Sequence, residues 1–166
     1  TFNQLSKDSR VNYIVLDVPV QAQLQQSRPL IRANLVETMP SINITGRNVG
    51  ICVVDSGMNY SHSSLSASYS GGYDFVNNDP DPMDDNGHGT KMAGIIASRH
   101  ATARGIAPGS KIVAVKSLNA GGFGSSSSVA AGIDWCVTNK NVYNISVISM
   151  SLGTIGSVYT PSTNPQ

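Results

Sequence analysis

Three short apolar runs constrain this chain more than any other feature. Val49 to Val54 (VGICVV), Lys111 to Ser117 (KIVAVKS) and Ile145 to Leu152 (ISVISMSL) are each six to eight residues long. That is strand length, and shorter than an ordinary helix. The first is continuously apolar and stops at Asp55-Ser56-Gly57, which predicts a strand buried on both faces, as in a parallel sheet. The second reads the same way, and the third reads as a further strand. Different patterns lie between them. Thr90 to Ser98 (TKMAGIIAS) predicts a short helix whose Ala93, Gly94 and Ala97 allow close approach to a sheet. Val129, Ile133, Cys136 and Val137 recur at helical spacing over 127–139, with Ser125 to Ser128 placed to cap that helix. Strand, helix, strand, helix, strand predicts an α/β fold built on a parallel sheet with right-handed crossovers. Ligands of such sheets bind beyond the carboxyl ends of the strands. Asp55 and the loops after Leu118 and Leu152 fall there, and His88, just ahead of a helix, can face the same edge.

The rest of the chain is less regular. Val11 to Val18 (VNYIVLDV) predicts a strand. Gln21 to Arg28 is polar, is closed by Pro29, and reads as a linker. Residues 56–87 are rich in Ser, Asn, Asp, Gly and Pro and are expected to be mostly loop. The 166 residues, 40% of them hydrophobic, suffice for one domain with a true core. Only 13% are charged and the net charge is +1, which argues against nucleic acid or an anionic membrane as the main partner. No apolar run approaches the length of a membrane span. Cys52 and Cys136 each sit in an apolar segment. Two buried thiols are the plainest reading; a bridge from strand to helix is the alternative, and spacing does not decide between them. Three N-x-S/T sequons, at Asn43, Asn59 and Asn144, suit an extracellular eukaryotic setting.

Two residues carry candidate chemistry. Asp55 ends an apolar strand, where the sheet can hold a partly buried acid rigid; a turn aspartate bonding its own backbone is the competing reading. His88 lies in Asn86-Gly87-His88-Gly89-Thr90, flanked by glycines that leave the imidazole accessible. A helix N-terminus disfavours an imidazolium. A nearby carboxylate offsets that and orients the ring. Asp55 as orienter and His88 as base therefore form a coherent pair.

The segments VGICVVDSG, NGHGTKMAGIIAS, GIAPGSKIVAVKSL and VISMSLG resemble the subtilisin family of serine peptidases, in the family's order and at compatible spacing. The resemblance covers roughly residues 28–166. It implies a three-layer α/β fold around a parallel sheet, with Asp55 as the triad aspartate and His88 as the general base. It implies that Gly122, Phe123 and Gly124 pair with substrate backbone. Ser151, Leu152 and Gly153 match the opposite substrate strand and Leu118 a neighbouring pocket wall. Asp74, Asn77, Asp79 and Asp81 resemble a structural calcium loop of some heat-stable members, although Met83 stands where another oxygen ligand is expected. No cofactor is implied for the chemistry itself. Residues 1–27 (with LSKDSRVNYIVLDVPVQAQ) resemble the last strand and tail of the family's inhibitory propeptide. The expected organisation is a propeptide-like segment at 1–27 and the N-terminal half of a catalytic domain at 28–166.

The departures matter as much. The family's nucleophile motif G-T-S-x-A-x-P and its oxyanion-hole asparagine are absent. The expectation is a secreted serine endopeptidase acting on protein or peptide substrates. This chain supplies Asp and His and is inactive alone. A C-terminal half of the same precursor supplies Ser and Asn and completes the sheet, because Ile145–Leu152 would otherwise keep an uncovered edge and face. The alternative is a non-catalytic remnant of the same fold acting in binding or regulation. A nucleotide-binding domain is disfavoured, since GGFG lacks the G-x-G-x-x-G pattern.

Overall fold

The computed structural model describes residues 28–39 and 44–153. The strand expected at Val11–Val18, most of the linker after it and the sequon at Asn43 lie outside the described residues. Chain order is helix α1 (Ala33–Glu37), strand β1 (Gly50–Asp55), a 3-10 turn (Ser66–Ser68), β2 (Tyr69–Asp74), α2 (His88–Ala97), β3 (Lys111–Lys116), α3 (Ser126–Thr138), α4 (Lys140–Tyr143) and β4 (Ile145–Met150). The strands form one sheet in the order β2-β3-β1-β4, with every pairing parallel.

Side chains alternate across the sheet and build a core on each face. Ile51, Val53, Ile112 and Ala114 meet Ala93 and Ala97 of α2. Cys52, Val54, Val113 and Val115 meet Cys136 of α3. All of β1 is buried, and β3 is buried after Lys111. Helix, sheet and helix form the expected three layers, and burial on both faces explains why the two central strands are unbroken apolar runs.

Cys52 and Cys136 are joined by a disulfide across a Cα separation of 6.1 Å. This corrects the reading as two buried thiols. The close approach of α3 makes the bridge possible. Gly132, one turn before Cys136, faces the sheet, where an added Cβ would come within 2.8 Å of Ser117 Oγ and 2.9 Å of Val115 Cγ1.

Within 56–87, expected to be mostly loop, Tyr69–Asp74 forms an edge strand. YSGGYD has no apolar run because its side chains are largely half-buried and, among the described residues, β3 is its one strand partner. Helix α2 begins at His88, two residues earlier than the apolar pattern indicates, and α3 runs from Ser126 with a capping box between Ser125 and Ser128. At the opposite edge, β4 leaves Val147 48% and Met150 47% exposed.

Candidate active site

Asp55 is the last residue of β1 and is fully buried. It follows Ile51 and Val53 in the strand's alternation, so its carboxylate emerges on the α2 side of the sheet. His88 is the first residue of α2, after Gly87 in the left-handed region at φ 96°. Asp55 Oδ1 lies 2.8 Å from His88 Nδ1 and also accepts from the Ser56 N–H at 2.7 Å. Its other oxygen, Oδ2, is buried without a hydrogen-bond partner among the described residues. A carboxylate can only accept, so the pairing puts the imidazole hydrogen on Nδ1 and leaves a lone pair at Nε2. The His88 side chain is 42% exposed. A buried carboxylate thus orients an accessible imidazole, which is the geometry a general base requires.

A neighbouring carboxylate fixes the segment that carries His88. Asp84 accepts from the backbone N–H groups of Asn86 (3.0 Å), Gly87 (2.8 Å) and Thr90 (2.9 Å), from the Thr90 hydroxyl, and from Ser56 Oγ at 2.9 Å. Ser56 Oγ in turn accepts from the Gly89 N–H at 2.9 Å. Burial pushes the Asp84 carboxyl up. The hydrogen bonds from Thr90, Gly87 and Asn86 outweigh that and hold it below the ordinary aspartate value. Gly89 allows the close contact, since a Cβ there would lie 2.1 Å from the Gly57 carbonyl. The sequence reading missed Ser56 and Asp84. The run Asp-Asp-Asn-Gly ahead of a helix was the available signal, because short Asx side chains bind nearby N–H groups.

The residues expected to contact substrate gather beside His88. Leu118, Gly122, Phe123, Gly124, Ser151, Leu152 and Gly153 line one groove with it, a cavity of about 790 Å³. Val129, Ala130 and Ile133 of α3 add an apolar wall that sequence reasoning did not anticipate. Asn119 closes the 119–123 turn. Its N–H donates to the Phe123 carbonyl at 2.8 Å, and its Oδ1 accepts from the N–H groups of Gly121 (2.9 Å) and Phe123 (3.1 Å). The Gly122 N–H is bound to the Asn119 carbonyl at 2.8 Å. Asn86 Nδ2 ties the His88 segment to this turn through the Ala120 carbonyl at 2.9 Å. Phe123 stands 59% exposed at the groove.

The loop resembling a calcium site is organised by hydrogen bonds. Asp74, buried, accepts from the N–H groups of Val76 and Asn77 and from Asn77 Nδ2. Asp79 accepts from the Asp81 N–H, and Asp81 from the Tyr60 hydroxyl and the Met83 N–H. Among the described residues no three His, Cys, Asp or Glu side chains cluster, while calcium also takes Asn and backbone oxygens. Asp74 and Asp81 are engaged with protein donors, which an ion at this loop would displace.

Comparison with known proteins agrees with this geometry. The chain is 36% identical to alkaline serine exoprotease A of Vibrio alginolyticus over 90% of its own length and 29% of that protein. It is 43% identical to minor extracellular protease Epr of Bacillus subtilis over 67% of its length and 16% of Epr. Against serine protease AprX of the same organism it is 36% identical over 90% of this chain and 35% of AprX. The chain therefore spans about a third or less of these relatives. The crystal structure of a cold adapted subtilisin-like serine proteinase superposes with a TM-score of 0.55 at 40% identity, covering 58% of this chain and 34% of that one. The subtilase family model (Peptidase_S8) matches residues 46–166. A parallel sheet that delivers Asp55 to His88, with these matches over most of its length, makes this chain a member of the subtilase family of serine peptidases.

Proposed function

We propose that this chain supplies the aspartate and the histidine of a serine endopeptidase that hydrolyses peptide bonds in proteins. The observation that carries the proposal is buried Asp55 held 2.8 Å from exposed His88 on the wall of a groove. The serine and the oxyanion asparagine come from the C-terminal half of the same precursor, as a second chain, and this chain alone is inactive. The edge position of β4 supports that completion, since Val147 and Met150 present apolar surface that further strands and helices would cover.

In the assembled site the serine Oγ attacks the peptide carbonyl carbon while His88 Nε2 takes its proton. Asp55 holds the ring and its tautomer and stabilises the imidazolium that forms. The asparagine and a backbone N–H bind the oxyanion. The proton then passes to the leaving amine as the C–N bond breaks. Water attacks the acyl-enzyme by the same route and releases the acid. Gly124 and Ser151–Gly153 offer backbone to an extended substrate. In this proposal, residues 1–27 are the tail of an inhibitory propeptide. In the same proposal Asp74, Asn77, Asp79 and Asp81 would hold a structural calcium ion, which would add rigidity to that loop and supply nothing to the chemistry. The disulfide supports an extracellular setting, as does the likeness to a protease named extracellular.

A fluorophosphonate probe applied to the native assembly tests this reading. Labelling of a serine-bearing companion chain, lost in His88→Ala, is expected. A folded assembly that stays unlabelled would point to the non-catalytic role instead.

A further inference from the structure

Lys116 ends β3 and its side chain is only 1% exposed. Strand alternation puts it on the α2 face with Ile112 and Ala114. A lysine is almost never buried in this way unless it is paired. Its ammonium has three N–H donors, and it meets three acceptors. They are the Ser56 carbonyl at 3.0 Å, the Leu118 carbonyl at 2.8 Å and Asp85 Oδ1 at 2.5 Å. Each acceptor lies on a different functional segment. Ser56 follows Asp55, Leu118 begins the groove loop, and Asp85 precedes His88 by three residues. Lys116 and Asp55 are also paired in the β1–β3 register. Adjacent Asp84 grips the first turn of α2 while Asp85 reaches to Lys116, so the segment before His88 is held by two carboxylates with different anchors.

We infer that Lys116 is a positioning residue for the peptidase reaction, setting the His88 segment and the Leu118 loop in place relative to Asp55. The inference rests on the function proposed above. Its three bonds make two separable arms. The Asp85 arm acts on His88 and hence on turnover. The Leu118 arm acts on the groove and hence on substrate binding. Neither arm moves a proton, and Lys116 does not touch substrate.

Two variants of the full enzyme, with its serine-bearing half, test this. Lys116→Met keeps the stem and removes all three bonds. Asp85→Ala removes only the arm to His88, and its side chain is 49% exposed, so the fold tolerates the change. Rates are expressed per active site titrated with fluorophosphonate, which discounts unfolded molecules. Lys116→Met should lower kcat/KM about 100-fold, the scale of an ångström-sized misplacement, through both kcat and KM. Asp85→Ala should lower kcat about tenfold and leave KM unchanged. A melting temperature that falls while kcat and KM per site stay constant would overturn the inference, because Lys116 would then be structural only. Amide hydrogen exchange gives a readout that needs no activity. Asn86–Thr90 should exchange at least tenfold faster in both variants. Leu118–Gly124 should do so in Lys116→Met alone, with β1 amides unchanged. If the wild-type assembly takes no fluorophosphonate, the peptidase reading fails. The exchange rates then still decide whether Lys116 holds these loops, and unchanged rates refute it. If Lys116→Met does not fold, Asp85→Ala alone decides, and unchanged kcat with unchanged exchange at Asn86–Thr90 refutes the inference.

Discussion

Reducing the Cys52–Cys136 bridge should cost this protein a large part of its stability. The bridge joins the centre of the sheet to α3 across a sequence separation of 84. A cross-link of that span removes conformational freedom from the unfolded chain. The loop-entropy relation gives about 4.5 kcal/mol, within the roughly 2–5 kcal/mol usual for native disulfides. The whole stability of a domain is only about 5–15 kcal/mol. At about 2–4 °C per kcal/mol for a chain of this size, the melting temperature should fall by about 10 °C or more. Both cysteines are buried in one cluster with Val54, Val113 and Val115, so the Cys52→Ala, Cys136→Ala variant adds a small cavity cost to the lost cross-link. The assay is thermal melting by circular dichroism at two scan rates, on the oxidised protein, the reduced protein and the double variant. Intact mass under non-reducing conditions, before and after reduction, verifies the starting state. A fall of less than about 3 °C on reduction would show that the bridge does not restrain the unfolded chain as argued.

Other consequences follow from the site. In the assembled enzyme Asp55→Asn should lower kcat by about 10⁴-fold while leaving the fold intact, by analogy with the equivalent change in a serine protease triad; burst kinetics with an ester substrate measure it, and a loss under tenfold would remove Asp55 from its role. Asp84 has a depressed folded-state pKa, so its stabilisation is present above the unfolded aspartate pKa and is lost as pH falls through the folded one. Asp84→Asn should therefore lower stability at neutral pH and flatten the acid limb of a urea-midpoint profile, whereas parallel wild-type and variant profiles would contradict the account. Calcium binding at Asp74–Asp81 would raise the melting temperature in Ca²⁺ relative to chelator, and identical curves would remove the ion from the proposal. Hydrogen bonding from Tyr60 to Asp81 raises the Tyr60 phenol pKa, with burial and the Asp81 charge adding to it. Asp81→Ala, which removes both the acceptor and the charge, should move its spectrophotometric titration back toward the ordinary tyrosine range, and an unmoved curve would show that the bond is absent in solution.

The sequence by itself determined the frame. Burial on both faces of a parallel strand demands unbroken apolar residues, so β1 and β3 were legible, and the small residues of α2 announced close packing on the sheet. Asp55 and His88 were legible as candidates because Asp55 ends an apolar strand and His88 stands between two glycines ahead of a helix. Their pairing, 33 residues apart, was a chemically coherent possibility in the sequence that the family resemblance made specific. Tyr69–Asp74 escaped because an edge strand needs no apolar run. Tertiary structure decided the rest: the bridge between Cys52 and Cys136, the grip of Asp84 on the first turn of α2, and the three acceptors around Lys116. Periodicity reports which face a residue turns to the core. Disulfides and networks of buried charge depend on which distant segments meet within a few ångströms, and packing alone settles that.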